Sequence, residues 1–95
     1  MNLTYYKGDA GKRMFAWLSK NAAKFGFYQP FCCNRKTGYQ EERWHWSYLP
    51  LSKLYLHEYI KQVTYADIVG FNGSKSAEQL GIIKNWVLGI NPECK

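Results

Sequence analysis

Trp44, Trp46 and Tyr48 alternate with Arg43, His45 and Ser47. A period of two over that many residues is the signature of a strand, since successive side chains leave its two faces. The indoles and the phenol then share one face, and Arg43, His45 and Ser47 share the other. Glu42 precedes His45 by three positions, so strict alternation would set the two on opposite faces. They converge only if Glu42 sits in the turn before the strand, and the Tyr39-Gln40-Glu41 lead-in allows that. A carboxylate beside an imidazole suits metal chemistry, in which a neutral histidine ligates zinc and a nearby carboxylate moves a proton. The same residues also suit a half-buried aromatic strand whose histidine is merely hydrogen-bonded.

The rest of the chain supplies the partners of that strand. Asp9 is an N-cap type and Gly26 a stop; between them Met14, Phe15, Leu18, Ala22 and Phe25 recur at helical spacing, with Trp17 flanking the stripe. These are expected core residues. Phe27 to Phe31 reads as a short strand, with Pro30 placing it at a sheet edge or end. Cys32 to Gln40 is a loop with its turn at Thr37-Gly38. After Pro50, a stripe of Leu51, Leu54, Tyr55, Tyr59 and Val63 predicts a helix of about twelve residues with His57 and Glu58 outward. Phe71 to Ser74 is a turn. Ser76-Ala77-Glu78-Gln79 reads as a capping box opening a last helix that carries Leu80, Ile83, Trp86 and Val87 and ends at Gly89. The expected architecture is α+β: a helix packed on a small antiparallel sheet, followed by two C-terminal helices.

At 95 residues this is one small domain, near the lower limit for a self-sufficient core. No apolar run is long enough to span a membrane, and Met1 to Asp9 lacks the pattern of a signal peptide. The net charge of +6 is spread along the chain, with Lys12-Arg13 and Arg35-Lys36 the densest groups. Phosphate contacts and base stacking would use such a surface, but no nucleic-acid-binding motif accompanies it. A solvated basic surface, suited also to anionic polymers, is the expectation. Cys32, Cys33 and Cys94 lack metal-ligand spacing. Cys32 or Cys33 could pair with Cys94 in an oxidising compartment, and small apolar side chains are the simpler role. His57-Glu58 fails as a helical zinc motif, because position 61 is Lys61 rather than histidine.

Four segments, Trp17-Leu18-Ser19-Lys20-Asn21-Ala22, Phe25-Gly26-Phe27, Thr37-Gly38-Tyr39 and Glu42-Arg43-Trp44-His45-Trp46, resemble in order and spacing the C-terminal half of VanY-type D-alanyl-D-alanine carboxypeptidases. The resemblance runs through residues 10–50. It implies a zinc peptidase that hydrolyses the terminal D-Ala-D-Ala of peptidoglycan stem peptides in the periplasm or cell envelope. It further implies His45 as a zinc ligand and Glu42 as the catalytic base. Trp44 and Trp46 would wall and position the site, and Arg43 or Tyr39 would lie near a substrate carboxylate. Family members take two more ligands from an upstream Ser-x-His-x-x-Gly-x-Ala-x-Asp motif, which this chain lacks. Residues 1–49 are therefore expected to be the metal-site half of a domain and residues 50–95 a helical extension, with export signal and missing ligands in an upstream half-domain. A second copy of the chain is the other candidate partner. One histidine supplies about a quarter of the roughly 10–16 kcal/mol of a four-ligand zinc site, so zinc should bind weakly here. A non-catalytic remnant or wall-binding module of the same fold is the alternative.

Overall fold

The computed structural model describes residues 8–32 and 34–95. Cys33 and residues 1–7, most of the stretch read above for a signal peptide, lie outside the described residues. Helix α1 spans Asp9–Asn21 and begins after an extended Gly8, so Gly8 rather than Asp9 is the N-cap. Asp9 instead sits in the first turn and Lys20 in the last, where each charge complements the helix dipole. The chain tightens into a 3-10 turn over Ala22–Phe25 and stops at Gly26, whose φ of 87° is left-handed. A side chain at Gly26 would also crowd the Tyr48 ring and Pro50. The Gly26 carbonyl accepts the Leu49 N–H at 2.9 Å, which ties the end of the first helix to the start of the next.

Strand β1, Phe27–Tyr28, pairs antiparallel with β2, Ser47–Tyr48, in the register Phe27 to Tyr48 and Tyr28 to Ser47. The Phe27 and Tyr48 rings lie 5.0 Å apart across the pair. Both strands are shorter than the sequence suggests. The chain turns at Pro30-Phe31, and residues 43–44 also lie in a turn, so Arg43 to Trp46 are not on a strand. The alternation of Trp44, Trp46 and Tyr48 mimics a strand period while the backbone winds through a turn.

Helix α2, Leu49–Gln62, carries Pro50 in its first turn, where the missing N–H has no helical partner to lose. Its inner face is only partly the expected one. Leu49 is buried and Leu56, Tyr59 and Val63 are half-buried, whereas Leu51, Leu54 and Tyr55 are exposed. The helix has apolar residues on two sides, so periodicity alone selects neither. A capping box follows, with Thr64 Oγ1 accepting from Ala66 N–H and Asp67 Oδ2 from Thr64 N–H.

The last helix is broken. Helix α3 is only Ala77–Leu80, without a side-chain cap at Ser76. Gly81, with φ of 62°, ends it, and Ile82–Val87 wind as a π-helix. The Tyr65 hydroxyl accepts the Ile83 N–H at 3.3 Å, holding this segment to the turn after α2. The α+β architecture stands: helices around a two-stranded antiparallel sheet.

The core is thin. Its buried apolar residues are Ala22, Leu49, Ala77 and Cys94, and no large side chain among the described residues is fully buried. Phe25, expected inside, is 62% exposed, and Trp17 is 55% exposed. These rings border an apolar cavity of about 460 Å³ together with Leu18, Ala22, Phe27 and Trp46.

Candidate active site

The turn that displaces the strand brings Glu42 and His45 together. Glu42 N–H donates to the Phe31 carbonyl at 3.0 Å, fastening the turn to the segment after β1. His45 N–H donates to the Glu42 carbonyl at 3.3 Å. Glu42 Oε2 lies 3.6 Å from His45 Nδ1. That is ion-pair range but longer than a hydrogen bond, so the carboxylate is near the imidazole without being locked to it. Among the described residues no hydrogen bond engages His45 Nε2. His45 is exposed and Glu42 half-buried, an arrangement open to a ligand from solvent.

A chain of rings backs the imidazole. Phe31 meets His45 edge-on at 4.8 Å and Tyr39 at 5.4 Å, and Tyr39 meets Trp86 at 5.3 Å. These edge-to-face contacts are the favoured geometry of aromatic quadrupoles. Tyr39 thus links the turn to the π-helical segment. Arg43 turns elsewhere: its Nε is 3.2 Å from Glu41 Oε1 and its guanidinium lies over the Phe15 ring. Trp44 and Trp46 are both half-buried rather than core. Trp46 packs against Phe15 at 6.5 Å, and its indole N–H is buried without a hydrogen-bond partner. Neither Glu42 nor His45 lines the apolar cavity.

Arg35 holds the loop between β1 and the turn, although the sequence offers it only as part of a basic pair. Its Nε donates to the Cys32 carbonyl at 2.9 Å, and Nη1 donates to the Thr37 and Gly89 carbonyls at 3.1 and 2.7 Å. Nη2 donates to the Tyr39 carbonyl, and the guanidinium lies over Phe31. The rigid fork of five donors makes arginine suited to gathering carbonyls. Gly38 and Gly89 meet backbone to backbone beside it, and a Cβ at Gly38 would overlap the Gly89 carbonyl oxygen. Asn91 completes the join, donating from its backbone to Pro30 at 2.8 Å and from its side chain to Gln29 at 3.1 Å. Neither Arg35 nor Asn91 has a sequence motif that marks it.

A catalytic zinc site takes three protein ligands and leaves a fourth position open. Among the described residues no group of three or more His, Cys, Asp or Glu side chains gathers. His57 is exposed on α2, and Glu58 is engaged with Lys61 and Gln62. The Glu42–His45 pair therefore fits one corner of a metal centre, and these residues alone do not make a whole one. No helix among them is long and apolar enough to cross a membrane.

An imidazole and a carboxylate thus share one turn, fastened to a helix–sheet corner. A family model described as VanY, D-alanyl-D-alanine carboxypeptidase, matches residues 3–51. That is just over half of the chain, and the chain belongs to this family. No curated protein and no solved structure matches it. The matched region contains Glu42 and His45 and ends inside α2, whereas Trp86, Gly89 and Asn91 lie beyond it.

Proposed function

We propose that the chain supplies the histidine ligand and the catalytic base of a zinc-dependent D-Ala-D-Ala carboxypeptidase acting on peptidoglycan stem peptides in the cell envelope. The observation that supports this most is the turn setting Glu42 3.6 Å from His45 within the family-matched region. In this reading His45 is one donor to the metal, through the nitrogen that Glu42 does not face. Glu42 takes a proton from the attacking water and delivers it to the leaving D-alanine amine, the successive base and acid roles of one carboxylate. The remaining donors come from outside the described residues, from an upstream half-domain or a second copy. A non-catalytic or wall-binding module of the same fold is the second reading, and the activity test below separates the two.

The test joins this chain to a segment that carries Ser-x-His-x-x-Gly-x-Ala-x-Asp and follows two readouts. These are D-alanine release from a D-Ala-D-Ala-terminated peptide and zinc content by elemental analysis. The joined protein should bind zinc and turn over, and the chain alone should do neither to a measurable extent. His45→Ala should lose zinc. Glu42→Gln should keep zinc and lose about 10²- to 10⁴-fold in rate. If Glu42→Gln loses zinc as completely as His45→Ala, the glutamate is a ligand and the assignment is wrong.

A further inference from the structure

We propose that Cys32 and Cys94 form an intramolecular disulfide when the folded chain meets a small-molecule disulfide oxidant, making the Asn91 junction covalent. Asn91 binds Pro30 through its backbone and Gln29 through its side chain. From Pro30 the chain runs two residues to Cys32. From Asn91 it coils through the Pro92–Cys94 turn, and the Cys94 N–H donates back to the Asn91 carbonyl at 2.8 Å. Both cysteines are thereby held near one hydrogen-bonded junction. Cys32 and Glu93 line the same small cavity with Gln29 and Asn91. Both thiols are unbonded, Cys32 half-buried and Cys94 buried. The Cys94 thiol is pushed up to about 11, chiefly by burial, with Cys32 and Glu93 contributing to the rise and Lys53 opposing it. Cys32 is therefore within electrostatic reach of Cys94.

The chemistry is two exchanges. The more accessible Cys32 thiolate attacks the oxidant RSSR, forming a mixed disulfide and releasing one RSH. The Cys94 thiolate then attacks Cys32 Sγ, expelling the second RSH. Two protein thiols become one disulfide, and their two electrons and two protons end on two RSH. Cys32 adjoins Phe31, whose carbonyl holds Glu42 and whose ring backs His45. The bond would anchor that support to a segment outside the family-matched region. The proposal does not depend on the carboxypeptidase reading.

The folded protein is equilibrated in oxidised and reduced glutathione, quenched with acid, and mapped by unreduced peptide mass spectrometry. The expected result is one cross-linked peptide pair joining Cys32 to Cys94, with free thiols falling from three to one. Cys33→Ser should still form the bond, and Cys32→Ser and Cys94→Ser should not. Exchange of the Glu42 amide hydrogen should slow at least tenfold in the oxidised form of Cys33→Ser. A Cys33 to Cys94 link in the wild-type chain overturns the proposal. So does a mixed disulfide at Cys32 that never closes, or retention of all three thiols under conditions that cross-link the urea-unfolded chain.

Discussion

Replacing Arg35 by methionine keeps most of the side chain's length and removes its donors. Two of the acceptors it leaves behind, the Cys32 and Gly89 carbonyls, are part-buried, whereas the Thr37 and Tyr39 carbonyls are exposed. The exposed pair regains water at little cost. Each part-buried carbonyl loses a charged donor worth about 1.5 kcal/mol, so the substitution should cost about 3 kcal/mol. At about 4–8 °C per kcal/mol for a domain of this size, the melting temperature should fall by about 12–24 °C. Arg35→Lys should recover less than half, because an ammonium cannot span acceptors as a planar fork does. Urea unfolding followed by circular dichroism measures both variants. A loss under about 0.5 kcal/mol for Arg35→Met would refute the reasoning, since the two carbonyls would then be satisfied by water and the loop held by the Gly38–Gly89 contact alone.

Gly38→Ala should destabilise by about 2–4 kcal/mol, combining a left-handed backbone with overlap on Gly89, while Gly70→Ala, where φ is also positive but nothing lies near, should cost only about 1–2 kcal/mol. Equal losses in urea titrations of the two would remove the close approach as a cause. Cys94 titrates at about 11 against an ordinary 9.0, chiefly because it is buried. A group held protonated in the fold contributes stability that is complete below the unfolded value and lost as pH climbs through the folded one. Stability should therefore decline between pH 9 and 11, by on the order of 2–3 kcal/mol. Cys94→Ala should flatten that slope, and an identical slope in both proteins would contradict the shift.

What the sequence discloses about this chain divides along physical lines. Gly26 announces itself, because a left-handed stop after an apolar stripe has few other solutions, and the Gly73 turn is legible for the same reason. The α+β class follows from helical spacing on either side of short aromatic segments. The closeness of Glu42 and His45 required only that the turn reach Glu42, and it reaches further, consuming the strand as far as Trp46. The inward face of α2 was legible only at its C-terminal end, in Tyr59 and Val63. Leu51, Leu54 and Tyr55 look as apolar as Leu49 and Leu56, and packing of Leu49 at the Gly26 corner decides between them. Ser76 to Gln79 carries a capping pattern without a capping bond, since Gly81 ends that helix after four residues. Thr64 and Asp67 form the box that is actually bonded. Arg35 escaped because its role is created by a carbonyl 54 positions away.

The Gly26–Leu49 hydrogen bond makes residues 27–48 an excursion whose two ends are fastened to each other. Everything that sets Glu42 beside His45 within the matched family lies on that excursion, and the helices enter it through a single corner. The module is therefore portable in principle: a scaffold that presents a helix end and a helix start at the same separation could accept it without copying α1 or α2. The tail segment sets the limit on such a transfer. Gly89 and Asn91 grip the excursion from outside, so a graft that omits them should keep its path at the corner and loosen at Arg35. Lengthening the excursion is the milder change, since loop-closure entropy grows only by about 0.6 kcal/mol per doubling of length.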